Sequence, residues 1–351
     1  MCRAGGKVLY KIRSGSTKEG RLKVLEADLL FDTGAYIESQ MIITTLTSNY
    51  LHALYTIEAA RYRGRLIHTN NIPYYFHHGG GIAQLQFGLG QHMDAVARDL
   101  GLDPIEFNLM NAVEKGHTTL HGTHYASCGL KECIEKTAKK TNWKKKNGKL
   151  PKLKGIGIGI GAMASGAKGM FKHDTSAAFV KVTEDGKLSM FIGLPDMGQS
   201  SHTAMAIIGA EVLGITPHDI RVVSGDTDTD PFDIGAFTQR GTFNTGNAAK
   251  NACTDARDQL AKTAAEQLGV AESNLVFRDH KVYPEGKPEQ AIEFKQVVYD
   301  TLHSREGRFV MGRGFYNSPL KRGTMAWSFG AQIAEVEVDP GTGVVKVERV
   351  T

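Results

Sequence analysis

From Ala248 to Leu268 a small or aliphatic residue returns every fourth position, at Ala248, Ala252, Ala256, Leu260, Ala264 and Leu268. A helix carries such a repeat as one stripe, and alanines along it let a neighbouring backbone approach closely. The stretch therefore predicts a long helix laid tightly on another element. Immediately before it stands a glycine-rich polar segment, Gly235-Ala236-Phe237-Thr238-Gln239-Arg240-Gly241 to Gly246-Asn247.

The chain repeats this device of a glycine-rich polar loop opening a helix. Leu188, Met190 and Ile192 alternate as a strand, which runs into Asp196-Met197-Gly198-Gln199-Ser200-Ser201-His202-Thr203 and a helix ending at Gly214. Tyr74-Tyr75-Phe76-His77-His78-Gly79-Gly80-Gly81 precedes a helix with Leu85, Leu89, Met93, Val96 and Leu100 on one face. Free N–H groups and the positive end of the helix dipole meet at each such start, which suits an anion or a polar ligand edge. Each loop alone is equally an ordinary capped helix. None is a dinucleotide fingerprint or a P-loop, because neither spacing is present. Together they suit a ligand offering polar edges and a phosphate, with Gln199, Gln239 and Arg240 adding amide and guanidinium forks.

Hairpins fill the intervals. Val8, Tyr10 and Ile12 mirror Leu22, Val24, Ala27 and Leu29 about Lys18-Glu19-Gly20, and Ala178, Val180 and Val182 turn at Asp185-Gly186. Gly155 to Met163 alternates Gly with Ile, a strand suited to close backbone approach. Residues 274–283 and 332–350 read as further hairpins, the last about Asp339-Pro340-Gly341, and 292–302 as a short helix. Asp103 caps a helix with Pro104 at its first position and Glu106 completing a capping box. Residues 39–70 carry no clear period. Hairpins mixed with helices, without repeated strand–helix–strand alternation, place the chain in the α+β class. Two lobes are expected, 1–145 and 146–351, joined by the lysine-rich stretch 139–154.

Composition narrows the function. No apolar run is long enough to span a membrane and Met1 begins no signal pattern, so a cytoplasmic protein with no membrane partner is expected. The formal charge of +5 is mild, and the lysine cluster lacks interleaved aromatics, which argues against nucleic acid. Cys2, Cys128, Cys133 and Cys253 show no disulfide framework and read as reduced thiols. Asp226, Asp228 and Asp230 resemble the start of a calcium loop, yet Pro231 stands where glycine is needed and Phe237 where glutamate is needed, so they read as a polar turn. His117, His121 and His124 lack a fourth ligand at zinc spacing and read as a loop.

In order, Asp32-Thr33-Gly34-Ala35-Tyr36, the Asn71-x-Pro73 to Gln84 loop, Asp103-Pro104-x-Glu106, Leu194 to Gln199 with Thr203, Gly235 to Ala248, and Ser328-Phe329-Gly330-Ala331 to Thr342-Gly343 resemble one family. It is the large, molybdopterin-binding subunit of the xanthine dehydrogenase and aldehyde oxidase type of molybdenum hydroxylases. The resemblance covers nearly the whole chain. It implies that Gly198, Gln199 and Ser200 meet the pterin, and that Ala236, Phe237, Thr238, Gln239 and Arg240 hold the pterin and its phosphate or nucleotide tail. His78 and Gly79 would join the cofactor site, while His77, Gly80 and Gly81 would line the substrate pocket. The implied cofactor is molybdenum–molybdopterin, with or without a cytosine dinucleotide and with no direct protein ligand to the metal. Iron–sulfur clusters and FAD would sit on partner domains or subunits of an oligomer. The implied reaction hydroxylates an aldehyde, an N-heterocycle or a CoA-thioester-type substrate with water-derived oxygen, or runs in reverse.

The chain also departs from the family. His78 stands where arginine is usual, and Gly80 where an aromatic is common, which widens the expected pocket. The family's first Gly-Phe-Gly-Gly loop and the general-base glutamate of its Gly-x-Gly-Glu segment have no counterpart here. No catalytic base is assigned, and the isolated chain is expected to be inactive. The competing reading is a non-catalytic fragment or scaffold whose cofactor site is completed by partner chains.

Overall fold

The computed structural model describes residues 6–37, 40–74, 79–166, 168, 173–319 and 326–351. In chain order the helices and strands are β1 Val8–Ser16, β2 Leu22–Gly34, α1 Gln40–Tyr50, β3 Ala59–His68, α2 Ile82–Asp99, α3 Pro104–Asn111, α4 Leu130–Thr141, the single turn α5 Trp143–Lys146 and β4 Lys154–Ser165. Then come β5 Thr175–Val182, β6 Leu188–Ile192, α6 Ser201–Leu213, β7 Ile220–Val223, α7 Gly246–Leu268, β8 Leu275–Arg278, β9 Lys281–Pro284, β10 Ile292–Glu293, α8 Phe294–His303 and β11 Met311–Asn317. The chain finishes with β12 Ala326–Val338 and β13 Val345–Val350. Contacts divide these into two compact units, 1–164 with 326–351, and 165–325.

In the first unit β2 is the centre of a three-stranded sheet, antiparallel to β1 and parallel to β3. Its inward residues Leu25, Ala27, Leu29 and Phe31 join Ile43 of α1 and Leu85, Leu89 and Met93 of α2 in one core. A second sheet runs β13-β12-β4. The isoleucines 156, 158 and 160 of β4 pack on the core, whereas Gly157 and Gly159 face open space with no atom within 4 Å of an added methyl. Close backbone approach, expected from these glycines, is therefore not what they provide among the described residues.

The lysine-rich stretch is not a linker between units. It holds the end of α4, all of α5 and the start of β4, and Trp143 within it is buried. The Trp143 indole N–H and Asn147 donate to Asp103, which also accepts from the N–H groups of Ile105 and Glu106 at the start of α3. The contact boundaries fall at 164/165 and 325/326 rather than at 145/146.

The second unit is built on the sheet β11-β5-β6-β7, in which β6 and β7 are parallel and the other neighbours antiparallel. The stripe on α7 lies against it, with Ala248, Ala252, Ala256, Leu260 and Ala264 fully buried. The close neighbour is β11. A methyl on Gly314 would overlap the Ala248 carbonyl, and one on Gly312 the Ala252 carbonyl. Alanine on the helix and glycine on the strand are two halves of one contact. The pairs β2-α1-β3 and β6-α6-β7 are parallel crossovers that the sequence pattern does not reveal.

Candidate functional site

Strand direction gathers the loops of the second unit. Because β6 and β7 are parallel, both leave the sheet at the same edge. There β5 also begins and β11 ends, since Asn317 pairs with Thr175. Loops at the carboxyl ends of parallel strands are where open sheets place ligands. The two loops touch. A methyl on Gly193 would come 2.8 Å from Asp233 Cβ, and one on Gly241 would come 3.2 Å from Leu194 Cδ2. His202 of the Asp196–Thr203 segment and Ser224, which has no mark in the sequence, add a hydrogen bond of 2.8 Å between the start of α6 and the end of β7.

The first loop, 193–200, is held by its own side chains. Asp196 accepts from the Gly198 N–H at 2.8 Å and from the His202 N–H at 3.3 Å. The Gly198 N–H is the main cause that keeps this carboxyl below its ordinary range. Gln199 accepts from the Met197 N–H and donates to the Pro195 carbonyl at 3.0 Å and Ser201 Oγ at 3.2 Å. Its amide is thus folded back on the loop. Gly198 lies at φ 99° and Ser200 at φ 58°, left-handed just before α6.

The second loop, 224–240, begins with the aspartate turn, where the Asp226 N–H donates to Asp230 and the Asp228 N–H to Asp226. It ends in two consecutive left-handed residues, Thr238 at φ 46° and Gln239 at φ 50°. The Gly166 N–H donates to the Thr238 carbonyl at 2.8 Å. A short π-turn, Gly241–Thr245, then feeds α7. Left-handed backbone at non-glycine residues costs about 1–3 kcal/mol each and concentrates at functional sites.

Arg240 requires a correction. Its side chain is fully buried, and all five N–H donors are spent inside the protein. Nε donates to Asp174 at 2.9 Å, Nη1 to Asp233 and to the Gly235 carbonyl at 2.9 Å, and Nη2 to the Thr175 carbonyl at 2.6 Å and Ser176 Oγ at 2.9 Å. No donor remains for a ligand phosphate. Asp174 and Asp233 are the carboxylates that take up the guanidinium, and the sequence alone does not pair either of them with Arg240. Asp233 stands in the same loop as Arg240, a faint signal, but Asp174 lies 66 positions away, in a segment that reads equally as pocket or core.

The third loop belongs to the first unit. His77 and His78 lie outside the described residues. Gly79, at φ 83°, offers its carbonyl to the Ile82 and Ala83 N–H groups, and the Gly81 N–H donates to Gln84 Oε1 at 2.8 Å. Gly80 and Gly81 are buried, and a methyl on Gly81 would strike Ile43 of α1. Gly81 is therefore required by packing on α1, a need separate from its expected place in a pocket wall. The His121 and His52 rings meet at a tilt of 49° with centroids 4.8 Å apart, while His124 pairs with Thr118. Among the described residues no group of three or more His, Cys, Asp or Glu could hold a metal ion. The described cysteines Cys128, Cys133 and Cys253 are free, and no described helix is long and apolar enough to cross a membrane.

Does this edge suit a pterin cofactor? Thr238 Oγ1 is buried on the second loop with no hydrogen-bond partner, an orphan that an incoming polar group can satisfy. The surrounding donors are backbone N–H groups, amides and hydroxyls, which match a pterin edge or phosphate and carry no metal-ligating set. The residues fit.

The molybdopterin cofactor-binding domain matches twice, over residues 2–112 and 130–351, and the chain belongs to that family. It is 28% identical over 343 residues to the xanthine dehydrogenase molybdenum-binding subunit of Escherichia coli O157:H7, covering 96% of this chain and 45% of that one. It is 26% identical over 347 residues to the aldehyde oxidoreductase of Megalodesulfovibrio gigas, covering 97% and 36%. The fold matches quinoline 2-oxidoreductase from Pseudomonas putida 86 at a TM-score of 0.88 and 20% identity, across 99% of this chain and 47% of that one. The chain spans less than half the length of these relatives.

Proposed function

We propose that this chain is the molybdopterin-binding part of an oxidoreductase related to xanthine dehydrogenase and aldehyde oxidoreductase. The observation that carries this reading is the pair of adjoining loops at one sheet edge, with left-handed Ser200, Thr238 and Gln239, in a chain matched along both halves by the cofactor-binding family. When bound, the molybdenum cofactor supplies the redox chemistry that hydroxylates a carbon with an oxygen from water, or reverses that step. The chain's part is to bind and orient it. Gly198 to Ser200 present backbone to the pterin. Ala236 to Gln239 present N–H groups and the Thr238 hydroxyl to the phosphate end, in a pterin or cytosine-dinucleotide form.

The substrate class is an aldehyde, an N-heterocycle or a CoA thioester. Electrons leave through iron–sulfur and flavin groups on partner domains or subunits of a cytoplasmic assembly. The relatives named as molybdenum-binding or large subunits support that arrangement. The test is the metal and pterin content of the assembled complex purified from molybdenum-replete cells, together with dye-coupled oxidation of the three substrate classes. Near-stoichiometric pterin is expected, and a complex without pterin refutes the reading. Pterin without turnover of any class would favour the scaffold alternative.

A further inference from the structure

Resting on that reading of the loops, we propose that Arg240, Asp174 and Asp233 form a positioning cluster that shapes the Ala236–Gln239 loop from behind, and that Arg240 does not touch the cofactor. The guanidinium grips both ends of the loop at once. Asp233 accepts from Arg240 Nη1 and from the Gly235 N–H, and the Gly235 carbonyl accepts from the same Nη1. The far end of the loop is Arg240 itself, so residues 236–239 are tied off like a noose. Ser176 and Thr245 donate to the other oxygen of Asp233, and Asn244 donates to Asp174.

Charge supports the assignment. Two carboxylates surround one guanidinium, and all three side chains are essentially without solvent exposure. A phosphate brought to Arg240 would add a third negative charge and find no N–H unspent. Such a cluster survives burial only when every member is satisfied, and losing one member strands the others. The left-handed pair Thr238 and Gln239 needs surroundings that over-determine it, and the pinned ends supply them.

The experiment uses the full chain in its assembled complex, with Arg240→Gln, Asp233→Asn, their double variant, and the milder Ser176→Ala and Thr245→Val. Pterin release rates are measured over a range of KCl concentrations. Limited proteolysis within 236–239 is measured on cofactor-stripped protein. A positioning cluster predicts at least tenfold faster release in Arg240→Gln and in Asp233→Asn, with the double variant no worse than either, because the residues act as one unit. The salt dependence of release stays parental, and loop cleavage accelerates at least tenfold. A direct phosphate contact predicts the opposite pattern: a shallower salt slope in Arg240→Gln, and slower release in Asp233→Asn as the guanidinium is freed. Either of those results overturns the proposal. Should the charge variants fail to fold, Ser176→Ala and Thr245→Val still decide it. Loop cleavage must accelerate several-fold while global melting stays close to parental, and unchanged cleavage refutes the cluster. If the parent complex holds no pterin, the functional reading fails, yet the cleavage measurement on the loop still tests the cluster.

Discussion

Gly314→Ala puts the contact between α7 and β11 to the test. The added methyl would overlap the Ala248 carbonyl and crowd the Ala252 amide, both of them backbone atoms of a 23-residue helix. A flexible side chain could swing aside, but a helix must lift along its whole buried stripe. Overpacking a well-packed core costs about 1–3 kcal/mol, and a backbone neighbour places this case at about 3 kcal/mol. For a unit of this size that lowers Tm by roughly 6–12 °C. Both tryptophans lie in the first unit, so their fluorescence reports that unit, and helical circular dichroism should follow the loss of α7. Gly330→Ala is the control, because a methyl there meets nothing within 4 Å. It should be neutral, or stabilising by about 0.5 kcal/mol through reduced chain entropy. If Gly314→Ala unfolds within about 0.5 kcal/mol of the parent, the close packing inferred from the alanine stripe is wrong.

Asp103→Ala removes the cap of α3 and strands the buried Trp143 indole N–H, so it should cost about 2–3 kcal/mol, read as a lower urea midpoint by tryptophan fluorescence. His52 is buried with neither ring nitrogen partnered among the described residues, and burial pulls its pKa from 6.5 down to about 4. The unfolded chain then binds the proton more readily, so stability is fully present above pH 6.5 and is lost as pH falls towards 4, by on the order of 3 kcal/mol. His52→Phe should flatten that acid limb, and an unchanged limb would assign the loss to other groups. Ser200→Gly relieves a left-handed serine ahead of α6 and should raise the thermal midpoint of the second unit slightly; a clear drop would contradict the assigned backbone.

Local signals were readable where one short stretch decides the outcome. The Asp185-Gly186 turn, the Asp103 cap and the alanine stripe each declare their element within a few residues, and each stands in the structure. Residues 40–50 hid a helix because its threonines, at 44, 45 and 47, disfavour helix in isolation, while Ile43, Leu46 and Tyr50 gain burial only once the sheet is present. The parallel pairings of β2 with β3 and β6 with β7 leave no local mark either. Of the site, the glycine-rich loops were legible from composition. The role of Arg240 was not, since whether a guanidinium faces a ligand or a buried carboxylate depends on Asp174, far away in sequence.

The order of synthesis follows from the discontinuous first unit. Residues 165–325 form one unbroken segment and can close as soon as they leave the ribosome. The unit that starts the chain cannot. Tyr50 and Tyr125 wait for Trp327, whose ring settles 5.2 Å from each, and β4 waits for its partner β12. The half translated first is therefore finished last, and its isoleucine-lined strand stays an open edge throughout the making of the other half. A ribosomal stall between 165 and 325 would leave that edge available to other nascent chains.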